Sequence, residues 1–377
     1  MKADIAVIGG GLAGASAAAR LASAGREVVL FERETAPHDK VCGEFVSYEA
    51  AHYLKELGVD LPGLGAERIV GTRIAIKGRI VSTPLPFPAF SLSRRVLDEA
   101  VLRRAEARGV QIMRGVRVVD LDGKPDAWTI RLADDSCLVA RHVFLATGKH
   151  DLRGWRRPGG LQSDLIGLKM HLRLTLAQRR ELARHVELMT FDGGYAGLEP
   201  VEEGRTNLCL LVRRSRFARA DGNWNDLLAV LRRECPLLDM RLENARPCFE
   251  RPLAIAAIPY GFIRRRGDGI WRLGDQAAVI PSFSGDGMSI ALHSGRLAAE
   301  YFLKGVEPAE FQRRLARDVA GSVRLATFLS LLAVRPAGQA LLECCLRWMP
   351  RAAMRVASAT RVPPPALRRA GMKIAEL

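Results

Sequence analysis

Gly9, Gly11, Gly14 and Glu32 are spaced for holding an anionic dinucleotide. The segment Asp4 to Gly14 reads Asp-Ile-Ala-Val-Ile-Gly-Gly-Gly-Leu-Ala-Gly, followed by a helical run from Ala15 to Ala24, Gly25, and a second apolar run, Val28 to Phe31, closed by Glu32. Gly9 allows a tight turn, Gly11 lets a pyrophosphate approach the backbone, and Gly14 permits close packing of helix on strand, with the helix N-terminus facing the phosphate charge. Glu32 comes 18 residues after Gly14, close to the ~20 expected of an acid that accepts from ribose hydroxyls. An acid rather than an arginine there suits an unphosphorylated ribose, so FAD or NAD is favoured over NADP. The order strand, glycines, helix, strand, acid separates this segment from an ordinary glycine turn.

Other reactive side chains have two readings each. Cys42 could do redox chemistry beside a cofactor, or be inert packing. Tyr195 and Glu199 alternate with Gly197 on an expected strand, so they share a face and could bind a substrate hydroxyl; the plain alternative is a core tyrosine and a surface acid. His171 and His293 lie in apolar elements and read as structural. The seven cysteines include no C-x-x-C pair, which argues against a disulfide framework and a zinc site. No metal site is expected.

The elements that must position these groups can be read from periodicity. Helices are expected from Tyr48 to Leu57, up to Arg108 after Ser91-Leu92-Ser93-Arg94, and from Trp224 to Arg233. Ile69 to Ile76 and Arg79 to Leu85 alternate as paired strands, with Pro84, Pro86 and Pro88 separating the pair from the next segment of chain. Short strands are expected between Val110 and Ala140, and Val143 to Ala146 ends in Thr147-Gly148, the kind of strand end where a ligand crevice opens. Leu165 to Leu174, Val186 to Phe191, Tyr195 to Leu198, Asn207 to Val212 and Leu253 to Tyr260 read as an antiparallel sheet, because few βα alternations occur there. Beyond Pro308 the pattern is mostly helical.

Composition narrows the partners. The chain has 377 residues, 48% hydrophobic, with a net charge of +16 and a pI near 10.1. That excess could meet an anionic cofactor or membrane surface, but the arginines are scattered without aromatic interleaving, so no nucleic acid is expected. The apolar run Leu325 to Val334 is ten residues, half of the ~20 needed to cross a bilayer, and reads as a buried or surface-associated helix. The first strand begins almost at Met1, leaving no room for a signal peptide, so a cytoplasmic protein with at most peripheral membrane contact through the C-terminal region is expected.

Three separated signals together resemble the flavoprotein hydroxylase fold, shared by p-hydroxybenzoate hydroxylase, the geranylgeranyl reductases and flavin-dependent halogenases. They are the glycine-rich start, Arg94-x-x-Leu97-Asp98, and Gly274-Asp275 with Pro281 and Ser284-Gly285-Asp286-Gly287-Met288 after it. The resemblance covers about residues 1 to 305. It implies FAD as the cofactor, with Arg94 contacting the flavin cofactor, Asp275 holding the ribityl chain, and backbone N–H groups at Gly285, Gly287 and Met288 beside the flavin's pyrimidine ring. Such donors stabilise negative charge on reduced flavin. Arg33, Cys42, Gly43, Val118, Thr147 and Gly148 complete the cofactor-binding set.

The resemblance also implies the fold class, α/β with a Rossmann-like FAD-binding domain interleaved with an antiparallel-sheet substrate domain, to which the pattern beyond it adds a helical C-terminal region. The FAD-binding parts are 1–68, 89–164 and 262–305; the substrate domain takes strands 69–88 and residues 165–261; the helical region is 306–377. Lys40-x-Cys42-Gly43-Glu44 and the Ser284 segment look more like the geranylgeranyl reductase branch. Two departures stand out. Tyr195-Ala-Gly197-Leu-Glu199-Pro200 has Gly where that branch tends to carry Trp, and Ala146-Thr147-Gly148 replaces the Ala-Asp-Gly stretch with which hydroxylases contact flavin and NADPH.

No second strand–glycine–helix unit offers a nicotinamide domain, so NAD(P)H must reach the flavin transiently, or a separate donor must supply electrons. Three functions are compatible with these residues. The first is a monooxygenase acting through a flavin hydroperoxide on a hydrophobic small molecule such as a polyketide, phenolic lipid or isoprenoid, favoured by the missing Trp. The second is a geranylgeranyl reductase-like enzyme that reduces carbon–carbon double bonds. The third is a non-catalytic flavin-retaining protein that binds a lipid or partner.

Overall fold

The computed structural model describes residues 2–349 and 351–372. Its first sheet is built on the strand Lys2–Ile8, whose Ile5, Ala6, Val7 and Ile8 are buried. That strand pairs in parallel with Val28–Glu32 on one side and Cys137–Leu145 on the other, with Gln111–Arg114 beyond Val28–Glu32. An antiparallel pair, Ala127–Leu132 and Val118–Lys124, extends the far edge, and Trp271–Arg272 lies parallel to Phe144 and Leu145. Burial on both faces is what a parallel sheet of β-branched and aromatic residues requires.

The helix Leu12–Ala22 is buried along almost its whole length. Its alanines let it lie between the sheet and the helix Gly287–Leu303. Two glycines set that closeness: a Cβ on Gly14 would fall 2.0 Å from the Gly9 carbonyl oxygen, and one on Gly295 would fall 2.4 Å from that of Ala13. The helix Arg94–Glu106 buries Leu97, Val101, Leu102 and Ala105 in the same core.

The second sheet holds the strands Leu165–Arg173, Arg205–Arg213, Gly194–Val201, His185–Phe191, Glu67–Ile76 and Arg79–Ser91, paired in that order, with short strands at its edges. It is antiparallel except at one place, where His185–Phe191 runs parallel to Glu67–Ile76. The strand from Arg79 continues to Ser91, past the prolines expected to end it. Its register explains this: Gly71 faces Pro84 but Ile69 already faces Ala89, so the residues between lie in a wide irregularity opposite Val70. Proline, lacking an N–H, is tolerated where the ladder is interrupted. Behind the sheet, the expected helix at Trp224 (Trp224–Glu234) is joined by a second, Pro236–Leu242, begun by a proline in its first turn. Of the run expected to be strand from Leu253 to Tyr260, Leu253–Ala256 pairs with Leu165–Arg173, and Tyr260 makes only an isolated antiparallel bridge to Gln162.

The C-terminal helices are Pro308–Ala333, Pro336–Trp348, Ala352–Ala359 and Pro364–Arg369. The first buries Phe311, Leu315, Val319, Val323 and Ala326 along one stripe against the first core, where Phe311 meets Trp271 at 5.4 Å between ring centroids.

Candidate active site

A cavity of about 1200 Å³ opens at the carboxyl ends of the parallel strands, against the second sheet. It runs from Glu32 and Arg33, past Gly9, Gly11 and Arg94, to Asp275 and on to Gly285, Gly287 and Met288. Cys42, Gly43, Val118, Thr147 and Gly148 also line it. Gly14 does not; it lies behind Gly9, where it sets the helix against the strand.

The first helix points its N-terminus at this cavity, with Gly11 as its N-cap residue, so unpaired N–H groups and a positive dipole end face the space. Glu32 ends the second parallel strand and is held by two backbone donors: Gly10 N to Oε2 and Glu34 N to Oε1, each at 3.0 Å. Arg94 is clamped by Asp98 through two hydrogen bonds, 2.7 and 2.8 Å, and Lys40 donates to the same carboxylate at 2.8 Å. Burial opposes the Asp98 charge, but Arg94 and Lys40 override it and hold its carboxyl down to about 2. Burial likewise opposes the guanidinium, and Asp98 prevails in keeping Arg94 above its ordinary range.

At the far end, Gly285 takes φ +72°, turning the chain into the helix Gly287–Leu303, and a Cβ on Gly287 would meet nothing within 4 Å. Asp275 lies 24% exposed with Lys149 Nζ at 4.0 Å; its backbone oxygen accepts from Arg157 Nη1 at 2.9 Å. Gln276 Nε2 ties the same loop to the carbonyls of Gly148 and His150 at 2.9 and 3.0 Å. Two helix N-termini, two cations, a ribose-facing acid and side-chain-free backbone thus surround one space. These residues fit FAD: Gly11, Lys40 and Arg94 would meet its pyrophosphate, Glu32 a ribose, Asp275 the ribityl chain, and Gly285 to Met288 the ring.

Comparisons with known proteins agree. A profile described as FAD dependent oxidoreductase matches residues 4–41. The menaquinone reductase of Mycolicibacterium smegmatis is 28% identical over 88% of this chain and 85% of its own length. Digeranylgeranylglycerophospholipid reductase 2 of Methanopyrus kandleri is 28% identical over 81% and 78%. This chain is an FAD-dependent oxidoreductase. The solved flavin-dependent brominase Bmp2 shares the fold at a TM-score of 0.77 and 16% identity, over 98% of this chain and 97% of that one.

On the side facing the second sheet, this oxidoreductase holds a buried charged group that spacing alone did not assign. Glu44 adopts φ 66°, and its carboxylate accepts from Lys169 Nζ, from His171 Nε2 at 2.7 Å and from Arg94 N at 2.9 Å. Glu44, Lys169 and His171 are all fully buried. Burial pushes the Glu44 carboxyl up, but Lys169 and His171 outweigh it and keep it below its ordinary value. Asp39, Glu44 and His171 bring three ligand atoms within 4.8 Å of one another. The Lys169 ammonium, 3.6 Å from Asp39 Oδ1, takes the place a cation would hold. The group fixes the loop before it: Glu44 N donates to Cys42 Sγ at 3.4 Å, and Asn207 Nδ2 holds the carbonyls of Cys42 and Gly43 at 3.1 and 2.9 Å.

Tyr195 and Glu199 are both buried on the strand Gly194–Val201, but neither lines the cavity wall. Tyr195 packs edge-on to Phe283 within an apolar cluster with Leu165 and Leu211. Glu199 lies behind the loop, with Oε1 4.0 Å from where a Cβ on Gly43 would be. Burial, aided by Glu44 and Cys42, pushes the Glu199 carboxyl well above its ordinary range. The loop 40–44 stands between that strand and the cavity, which strand periodicity could not show.

The other unassigned pair closes the far end. Asp286, fully buried, lies 3.1 Å from Arg361 Nη1, and Arg361 Nη2 donates to the Ser284 carbonyl. Burial, with Glu49 nearby, outweighs Arg361 and Ser289 and pushes the Asp286 carboxyl up to about 8.

Proposed function

We propose that this flavoprotein reduces carbon–carbon double bonds in the isoprenoid chain of a lipid. The observation that carries the reading is the cavity wall next to the loop 40–44. Val41, Phe45, Leu253, Ile255, Val279 and Ile280 make it apolar, and Cys42 brings a thiol among them. An apolar wall accepts a hydrocarbon chain, and a thiol is a proton source that does not require water.

When bound in its reduced form, FAD would supply two electrons and one hydrogen to one carbon of an alkene as a hydride equivalent. The second hydrogen must reach the other carbon as a proton. Cys42 gives it, and the sulfur keeps the electron pair of the broken S–H bond. The Glu44 N–H at 3.4 Å and the Arg94 guanidinium beside it stabilise that thiolate. The thiolate takes its proton back from solvent once product leaves.

Both relatives are named as reductases of molecules that carry isoprenoid chains, which supports this choice over the oxygenating reading. The preference for oxygenation rested on Gly197 standing where the reductase branch tends to have Trp. Here position 197 faces Leu188 and the Cys209 carbonyl, at 3.7 and 3.8 Å from a Cβ, and does not line the cavity. Its lack of a side chain therefore leaves the wall unchanged.

The test mixes photoreduced, FAD-loaded protein with geranylgeranyl lipid or menaquinone in the absence of oxygen. Return of the oxidised flavin spectrum and a product heavier by two hydrogens are expected, with turnover falling about a hundredfold in Cys42→Ala. A product containing an added oxygen atom, formed only in air, would refute the reading.

A further inference from the structure

We infer that the helix Pro336–Trp348, with Met349 directly after it, forms a face that rests on an anionic lipid bilayer. Ala337, Leu341, Cys344 and Trp348 recur at spacings of four, three and four, which places them on one stripe of the helix. All four are exposed. Trp348 is 74% exposed, Leu341 53%, and Met349, immediately after, 54%.

The helix is held by its other side and cannot roll to hide this stripe. Gln339, buried, donates from Nε2 to the carbonyls of Phe191 and Ala333 at 2.8 and 2.7 Å. A Cβ on Gly338 would fall 2.3 Å from the Leu332 carbonyl oxygen, so that side lies directly against the preceding helix. A helix stabilised only by its own domain turns its apolar residues inward; this one turns Gly338, Gln339 and Leu346 inward yet leaves Leu341 and Trp348 outward.

Charge identifies the occupant. Residues 335–369 hold seven arginines and no lysine against a single acid, Glu343; Arg361 and Arg369 are taken up by Asp286 and Asp318, and Glu343 is engaged by Arg79 at 2.9 Å, which leaves five arginines in the segment. Arg347, Arg351 and Arg355 recur at intervals of four and are exposed. A second copy of the chain paired symmetrically through this stripe would set arginines against arginines, whereas lipid phosphates meet them with opposite charge. Tryptophan and arginine beside an aliphatic stripe are the composition of a helix lying in the interface plane. No single helix among the described residues is long and apolar enough to cross a bilayer, and Pro308–Ala333 meets Pro336–Trp348 at a bend of 112°. The face rests on the surface rather than passing through it.

This inference is independent of the reaction assigned above, and its test reads no turnover. FAD-loaded full-length protein is sedimented with vesicles of phosphatidylcholine alone or mixed with phosphatidylglycerol, at low and high salt, while tryptophan emission is recorded. Binding to the phosphatidylglycerol vesicles at low salt, with a blue shift that Trp348→Phe removes, is expected. The double variant Leu341→Ser/Trp348→Ser should bind them at least tenfold more weakly while keeping its flavin and the oligomeric state of the wild type. Arg347→Gln/Arg351→Gln/Arg355→Gln should lose the salt dependence. Equal binding by wild type and the serine variant, no binding to either vesicle, or a dimer that the serine substitutions dissolve would each overturn the proposal.

Discussion

Two glycines of one motif should respond to the same substitution in opposite ways. Gly11 has an extended backbone, φ −72° and ψ −179°, which alanine adopts freely. Its Cβ would meet only Arg94 Nη2 at 3.9 Å and Lys40 Nζ at 4.0 Å, both ordinary contacts. Gly11→Ala should therefore leave the FAD-free fold intact, or stabilise it by about 0.4–1 kcal/mol through a less flexible unfolded chain. The methyl group nevertheless enters the space between the helix N-terminus and the two cations. Displacing one charge-assisted hydrogen bond to a phosphate loses about 1.5–3 kcal/mol, a rise in the FAD dissociation constant of roughly tenfold to a hundredfold. Gly14→Ala should do the reverse damage, because its Cβ would fall 2.0 Å from the Gly9 carbonyl oxygen and 3.1 Å from Ala146 Cβ and Val7 Cγ1. Backbone must move, and overpacking of this kind costs about 1–3 kcal/mol before any ligand is considered. Quenching of flavin fluorescence on titration gives the affinities, and thermal melts of FAD-free protein give the stabilities. Wild-type FAD affinity in Gly11→Ala, or a lower melting temperature of its FAD-free form, would refute the placement of the pyrophosphate.

Asp275→Ala should lower flavin occupancy sharply while the melting temperature of FAD-free protein barely moves, since the loop is tied by backbone and Gln276 contacts; a fully yellow variant counts against the ribityl assignment. The Asp98 carboxyl, lowered from its ordinary 3.8 to about 2 by Arg94 and Lys40, contributes stability that is complete above pH ~4 and lost as pH falls through its folded value, about 2 kcal/mol in all. The gap in unfolding free energy between wild type and Asp98→Asn should thus be wide at pH 7 and shrink below pH ~4, and a pH-independent gap would contradict the triad. Lys169→Met leaves the buried Glu44 carboxylate without its ammonium and should cost about 3–5 kcal/mol in denaturant unfolding. Glu44→Gln added to it should recover part of that loss, and a fully stable single variant would show that the pair is not engaged.

The dinucleotide end of the site was legible because its signals are local. Strand, turn, helix and acid fall within Asp4 to Glu32, and each is dictated by backbone geometry that leaves its mark on residue type. The Glu44 group is different: Lys169 and His171 lie 125 and 127 residues away, and no spacing rule joins a loop glutamate to two polar residues in an otherwise apolar strand. Tyr195 and Glu199 show the limit of periodicity. Alternation gave them a common face, but whether the cavity or a loop covers that face depends on how residues 40–44 are held by Asn207. The prolines between Pro84 and Pro88 misled for a related reason, since a strand can continue across an interruption that its partner, not its own sequence, permits.

Arg361 comes 77 residues after Ser284 in the chain, yet it braces Ser284 and Asp286 where the flavin-ring end begins. A ribosome delivers both sheets before it delivers that brace, so the ring end is the last part of the cradle to be finished. Early-emerging strands can pair and pack while the pigment still has nowhere firm to settle. A chain cut just before Arg361 should therefore keep its sheets but wash out colourless.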